Sequence, residues 1–353
     1  MVQDLRSLDF SEYVDWVTRL GQPKYRAAQI FRWVHREGVA DFQRMTDLPL
    51  ELRQRLVAEA SISAPKIRKL LQSDAGQTTK LLLELDDHQC IETVLMQYQR
   101  STTRDRITVC ASTQVGCSMG CRFCATGAGG LVRNLTSGEI VGQIYTCNHL
   151  LARQKGSKKV TNVVFMGMGE PLMNYRATVK AMRLLSDPRG LHISPRRITV
   201  STCGIVPGIK KLAQEGLPIT LAISLHAPED SLRDFLVPIN QRYSLRQLME
   251  ACRYYVEMTN RRITFEYTLI RGLNDGPEMA FKLAELVKGL LANVNLIPVN
   301  ATESDGLLAP EPVQVNRFAE TLARLGVNVT IRESRGGAIA AACGQLRATS
   351  CCH

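Results

Sequence analysis

Cys117, Cys121 and Cys124 lie on one short run, Cys117-Ser118-Met119-Gly120-Cys121-Arg122-Phe123-Cys124. Three thiolates, with three and then two residues between them, can hold three corners of an iron–sulfur cube, leaving the fourth iron without a protein ligand. An iron with an open position can chelate a small molecule and pass it an electron. A site closed by four cysteines is mostly structural. A zinc site made from the same three cysteines and a histidine such as His149 is the alternative. Zinc loops usually come as two C-x-x-C or C-x-x-H pairs separated by a longer stretch, and no second pair follows here. Phe123, just before the third cysteine, also suits a loop wrapped on a cluster.

The elements that must position this loop follow from periodicity. From Ile107 onward, short β-branched runs alternate with helical stretches. Strands are predicted at 107–111, 162–166, 198–201, 220–224, 264–269, 294–298 and 328–332, with helices such as 137–152, 175–185, 245–258 and 278–291 between several of them. Strands separated by crossover helices imply parallel pairing in an α/β barrel or open sheet. The unusual residues fall just after the strands: Cys117 onward, Gly167-Met168-Gly169-Glu170, Ser201-Thr202, Ser224-Leu225-His226 and Asn300. In a parallel barrel those strand ends share one face, where ligands bind. Upstream, apolar positions at Tyr13, Trp16, Val17 and Leu20, then Ile30, Phe31 and Val34, recur at helical spacing between residues 9 and 59. Gly21-Gln22-Pro23 separates two helices there and Gly38 ends the second. Between Lys66 and Met96 the pattern turns to alternation, with strands at 81–85 and 91–95.

At 353 residues the chain has room for one large domain and a smaller one. No run reaches the roughly 18 apolar residues of a membrane span, and the N-terminus lacks a signal-peptide layout. The expected compartment is the cytoplasm, where eleven cysteines read as thiols, metal ligands or catalytic groups and not as a disulfide scaffold. A net charge of +11 suggests a polyanionic partner such as RNA. Lys24, Arg26, Arg32, Arg36 and Arg44 make the N-terminal unit basic, which fits either a solvated face or an RNA-docking surface.

Taken together, these segments resemble the radical S-adenosylmethionine (SAM) RNA methyltransferases of the RlmN/Cfr family, with the RlmN branch the nearer. The resemblance runs over nearly the whole chain: Tyr25 to Phe31, Gln114 to Cys124, Phe165 to Leu172, Ile223 to Pro228, Val237 to Asn240 and Ala341 to Leu346. It implies an α/β fold, a partial parallel (β/α)6-type radical SAM barrel over 103–335. It further implies an N-terminal helical RNA-docking domain over 1–62, a β-rich connector over 63–102 and a C-terminal segment over 336–353.

The resemblance also implies a chemistry. Cys117, Cys121 and Cys124 would hold one [4Fe-4S] cluster, while Gly169, Glu170, Ser201, Ser224, Leu225, His226 and Asn300 would line the SAM site. The two glycines would let backbone approach the ligand, and the Glu170 carboxylate would accept from the methionyl ammonium. Cys343 would carry a methyl group, Cys110 would resolve the resulting RNA adduct through a Cys110–Cys343 disulfide, and Glu92 would accept the proton. The implied substrates are an adenine of 23S rRNA and the tRNA adenine 3′ of the anticodon, methylated at C2. An electron donor and a disulfide reductant are implied as further partners, and a monomer is expected. Mobility of Arg335-Gly336-Gly337 would let Cys343 swing.

Three positions depart from the family pattern: Ala338-Ile339-Ala340 replaces an acidic-aliphatic-acidic run, Ala301 stands where proline is common, and the loop 303–312 is atypical. Cys351-Cys352-His353 is expected to be a disordered tail. Two other functions stay open on sequence. One is a Cfr-type adenine-C8 methyltransferase, from which Pro171 points away; the other is a zinc-stabilised RNA-binding protein without catalysis.

Overall fold

The computed structural model describes residues 2–98, 106–154, 158–300, 306–332 and 335–347. The N-terminal unit consists of β1 (Gln3–Asp4), α1 (Phe10–Arg19), α2 (Tyr25–Phe31), α3 (Leu50–Glu59) and β2 (Ala60–Ser61). Asp9 and Glu12 close a reciprocal capping box at the start of α1. Gly21 and Gly38 take positive φ at the two breaks, as their placement in the sequence anticipates.

An antiparallel meander follows, β3 (Lys66–Ser73), β4 (Thr78–Glu84) and β5 (Cys90–Tyr98). The chain continues through β6 (Arg106–Cys110), β7 (Gln114–Gly116), α4 (Ala125–Ala128), β8 (Leu131–Asn134), α5 (Ser137–Ala152) and β9 (Asn162–Phe165). Next come α6 (Tyr175–Ser186), β10 (Ile198–Thr202), α7 (Val206–Ala213), β11 (Thr220–Ser224), α8 (Asp230–Leu236) and α9 (Leu245–Thr259). The last elements are β12 (Ile263–Leu269), α10 (Pro277–Val287), β13 (Ala292–Pro298), α11 (Pro312–Arg324) and β14 (Val329–Ile331).

One ten-stranded sheet runs β14-β13-β12-β11-β10-β9-β6-β5-β4-β3. From β6 to β14 every pairing is parallel, and β5, β4 and β3 extend it antiparallel. The segment read as a connector therefore continues the barrel sheet. Near-continuous apolar runs mark the parallel strands, as burial on both faces requires: Val163, Val164 and Phe165 in β9, and Leu221, Ala222 and Ile223 in β11, are all buried.

The helix expected over 278–291 stops at Val287. Lys288 is extended and Gly289 has φ +73, so the chain turns there into β13. The tail 351–353, Ala301 and the first residues of the 303–312 loop lie outside the described residues. No helix among the described residues is long and apolar enough to cross a membrane.

The N-terminal unit is fastened to the barrel through a buried polar joint. The Arg6 guanidinium lies 4.5 Å from the Tyr145 ring centre and donates to the Ser63 carbonyl. Tyr145 Oη donates to the His35 carbonyl at 2.7 Å. Burial, with Arg6 close by, pushes His35 down to about 3, so its imidazole is neutral at physiological pH.

Candidate functional site

The three-cysteine loop hangs from a small hairpin. β7 and β8 pair antiparallel on either side of it, so its two ends are held together. Within the loop the Cys124 N–H donates to the Cys121 carbonyl at 3.0 Å, and the Arg122 N–H donates to Leu236 at 3.1 Å. All three cysteines carry free thiols and border one cavity of about 900 Å³ at the C-terminal strand ends. Burial raises Cys117 to about 11 and raises Cys121 further. Such thiols become good ligands only when a metal displaces their protons. Among the described residues no three His, Cys, Asp or Glu side chains are gathered as ligands of a single ion would be. His149 borders different cavities with Tyr145, next to Gly38, away from the cysteine loop. It cannot complete a zinc site there.

Gly169, Glu170, Ser201, Ser224, His226 and Asn300 line the same cavity. Ser201 Oγ and Ser224 Oγ stand 3.5 Å apart on adjacent strands. Gly167 also borders this cavity, and both it and Gly169 are required by packing as well. A Cβ on Gly167 would meet Ser112 Oγ at 2.7 Å, and one on Gly169 would meet Gln114 Cγ at 2.7 Å, so both glycines let the β9 loop close on residues 111–114. The Glu170 carboxylate accepts from the Leu172 N–H at 3.0 Å and the Cys203 N–H at 2.8 Å, and burial raises its pKa. The Cys203 and Thr202 side chains also hydrogen-bond to this carboxylate, so it is well satisfied within the protein while still bordering the cavity.

His226 has φ +59, an uncommon backbone for a residue with a side chain. Its Nδ1 accepts from the Thr268 N–H at 3.0 Å, which leaves the proton on Nε2. Burial pushes it down to about 3, and its ring packs edge-on against Phe123, 4.4 Å between centres. Leu225 does not present its side chain to the cavity. It is fully buried, and its backbone is what the site uses: the N–H donates to Glu266 at 3.0 Å and the carbonyl accepts from Arg233.

Arg233 was not singled out in the sequence. It is fully buried behind the strand ends, and its guanidinium donates to the carbonyls of Cys203, Ser224 and Leu225 and to Asn240 Oδ1 at 2.7–3.1 Å. One side chain thus ties the ends of β10 and β11 together. Asn274 does the same for His226 and Thr268, donating to both carbonyls at 2.8 and 2.6 Å. Arg233→Met should cost about 3 kcal/mol or more, because buried carbonyls lose their donors. Urea unfolding checks this; a loss under about 1 kcal/mol would show that these carbonyls find other donors.

The C-terminal segment closes the site from above. The Ala125 N–H donates to the Gly344 carbonyl at 2.6 Å, Thr126 Oγ1 donates to the Leu346 carbonyl, and Asn300 Nδ2 donates to the Cys343 carbonyl at 3.1 Å. Gly344 has φ +84, and a Cβ there would stand 2.7 Å from the Phe123 carbonyl. Cys343 is exposed and borders both the main cavity and an adjoining one of about 530 Å³ that Cys110 also lines. The segment expected to let Cys343 swing makes contacts of its own at its start. Gly336 makes a tight turn at φ +72, its N–H donates to Asp74 at 3.1 Å, and the Arg335 guanidinium lies 4.3 Å from the Tyr98 ring centre. Ala338-Ile339-Ala340 forms a short turn whose last carbonyl accepts from Lys80 Nζ at 3.1 Å.

Glu92 lies under this segment and does not line either cavity. Its carboxylate pairs with Lys80 Nζ at 2.9 Å and accepts from the Arg347 N–H at 2.8 Å.

A parallel α/β barrel with three cysteines on the loop after its first strand, facing a cavity at the strand ends, is the architecture of radical SAM enzymes. Residues 111–284 match the radical SAM superfamily, and residues 3–62 match the "Ribosomal RNA large subunit methyltransferase N-terminal domain". The chain is 49% identical over 347 residues to a probable dual-specificity RNA methyltransferase RlmN of Moorella thermoacetica, covering 98% of each. It is 48% identical over 352 residues to a protein of the same description from Symbiobacterium thermophilum, covering 98% of this chain and 91% of that one. A crystal structure of a radical SAM methyltransferase from Sphaerobacter thermophilus superposes with a TM-score of 0.94 at 46% identity, covering 98% of this chain and 100% of that one. The chain belongs to the RlmN family of dual-specificity RNA methyltransferases.

Proposed function

We propose that the chain methylates C2 of adenine in RNA, both an adenine of 23S rRNA and the tRNA adenine 3′ of the anticodon, consuming two SAM per turnover. The observation that carries this reading is the position of Cys343. Its thiol borders the cavity of the three-cysteine loop on one side and shares the smaller cavity with Cys110 on the other. A group that receives carbon at one site and is discharged at another needs both neighbours.

Adenine C2 has no lone pair or acidic proton with which to attack a sulfonium methyl, so ordinary displacement onto it fails. When bound on Cys117, Cys121 and Cys124, a [4Fe-4S] cluster together with SAM supplies a carbon radical able to take hydrogen from a methyl group. The protein's own residues do the rest. The Cys343 thiolate takes a methyl group from one SAM by displacement. Glu170, Ser201, Ser224, His226 and Asn300 hold SAM at the strand ends, with Gly169 and the Leu225 backbone shaping the wall. After the carbon has joined C2, the adduct must lose one electron, which the redox group held by the three cysteines would take back, and the C2 proton, which Glu92 accepts. Cys110 attacks the sulfur of Cys343, and the Cys110–Cys343 disulfide is later reduced by exchange with an external dithiol. A reducing cytoplasm would supply that dithiol and the electron donor. The target base must be unpaired or flipped out to reach the cavity, and the basic N-terminal unit would dock the surrounding RNA.

Anaerobic reconstitution with iron, sulfide, SAM and reductant, followed by mass analysis of nucleosides from rRNA and tRNA fragments, tests this. The expected product is 2-methyladenosine in both. An 8-methyladenosine product would replace C2 by C8, and colourless zinc-bearing protein without product would remove catalysis altogether.

A further inference from the structure

We propose that Arg332 is a positioning residue shared by the two reactive thiols, its guanidinium favouring the Cys343 thiolate while that sulfur is free and the Cys110 thiolate once Cys343 carries carbon. The inference rests on the roles proposed above for Cys110 and Cys343.

Arg332 leaves the end of β14 with its N–H donating to Leu296 at 2.9 Å, so its backbone is fixed. Its side chain, 31% exposed, borders the main cavity beside Cys343 and the smaller one beside both Cys343 and Cys110. Its contacts there are weak. Nη1 donates to the poor acceptor Met166 Sδ at 3.8 Å and forms a long ion pair with Glu266 Oε2 at 3.9 Å, too long for a good hydrogen bond to that oxygen. Glu266 Oε2 is itself buried without a hydrogen-bond partner. A guanidinium offers five donors, and this fork is not spent on its carboxylate neighbour.

Among the described residues, the charged and titratable groups facing it are Glu266 on β12, Tyr98 on β5, Cys110 on β6, and Cys343 and Arg335 on the C-terminal segment. Burial drives the Cys110 thiol up to about 12, the nearby Cys343 thiolate adds to the rise, and Arg332 opposes both. One cation between two thiols cannot serve two thiolates equally, because each raises the cost of the other. The reaction separates them in time. In the first step the Cys343 thiolate forms a bond to the SAM methyl carbon, and the carbon–sulfonium bond breaks with its electron pair left on sulfur. Cys343 is then an uncharged thioether and no longer repels a thiolate at Cys110. In the release step Cys110 forms the S–S bond to Cys343 as the S–CH2 bond breaks. The electron pair leaves with carbon, which takes a proton from solvent and becomes methyl. Two sulfurs are oxidised to a disulfide as that carbon is reduced.

The test has two readouts. In the apo chain, iodoacetamide alkylation of Cys343 is followed from pH 6 to 10 by peptide mass spectrometry. Arg332→Met should slow this alkylation at pH 7 about threefold or more, and Arg332→Lys should restore most of the rate. In the reconstituted enzyme with RNA, Arg332→Met should accumulate covalent RNA–protein adduct at pH 7 that clears at pH 9, where Cys110 holds about a hundred-fold more thiolate. The Cys110→Ala adduct should persist at both pH values. Superimposable alkylation profiles for wild type, Arg332→Met and Arg332→Lys would overturn the inference, whatever the RNA result. An absent adduct in Cys110→Ala would instead count against the proposed reaction, and the alkylation profile would still judge Arg332. Arg332→Lys guards against misfolding, since it keeps the charge without the fork.

Discussion

Cys343→Ala is expected to yield no methylated adenine, a loss of more than about 10⁴-fold, because under the proposed reaction it deletes the covalent carrier and leaves the displacement with no acceptor. The fold should scarcely notice. Cys343 is exposed, and the contact it makes with Asn300 uses its backbone carbonyl, which alanine retains. Unfolding free energy should stay within about 1 kcal/mol of wild type, as for other exposed positions. Nucleoside mass analysis and urea unfolding on the same preparation separate the two effects. Cys343→Ser should be as inactive as alanine, since a hydroxyl near neutral pH is a poor nucleophile without a base beside it. Methylated RNA at the wild-type rate from either variant would remove Cys343 from the reaction.

Glu92→Gln is expected to slow release by about 10²–10⁴-fold, the usual contribution of a positioned general base. Glutamine keeps the shape and can still accept the Arg347 N–H, but it cannot take a proton and no longer neutralises Lys80. Lys80 retains the Ala340 carbonyl, so the stability cost should be about 1–3 kcal/mol. RNA-bound protein should accumulate, visible as a slower band in denaturing gels. Unchanged turnover with no such band would assign the proton to another group.

The barrel was legible wherever local signals and tertiary packing agree. The helix over 137–152 was predicted and occurs with the same bounds, because Thr136 and Glu139 form a capping box ahead of an apolar run. The strand 220–224 also matches, its β-branched and apolar run being buried on both faces. The β7–β8 hairpin escaped notice because strands of three and four residues carry no period. Among site residues, Cys117, Cys121 and Cys124 announce themselves by spacing. Arg233 and Arg332 do not. A single arginine looks the same in sequence whether solvated or buried, and only the fold shows that Arg233 answers three carbonyls. An arginine inside the apolar-flanked Leu232–Val237 run was the one available hint. Glu92 was placed by resemblance, and nothing in its strand foretells a lid of residues from the other end of the chain.

That lid has a consequence for anyone building hybrids of such enzymes. Ala125 and Thr126 are hydrogen-bonded to Gly344 and Leu346, more than two hundred residues downstream, and the Phe123 carbonyl leaves room at Gly344 for hydrogen alone. Substitutions in the two stretches should therefore be strongly non-additive. A chimaera that imports the three-cysteine loop from a relative ought to import its matching C-terminal stretch around Gly344 as well, as one inherited part.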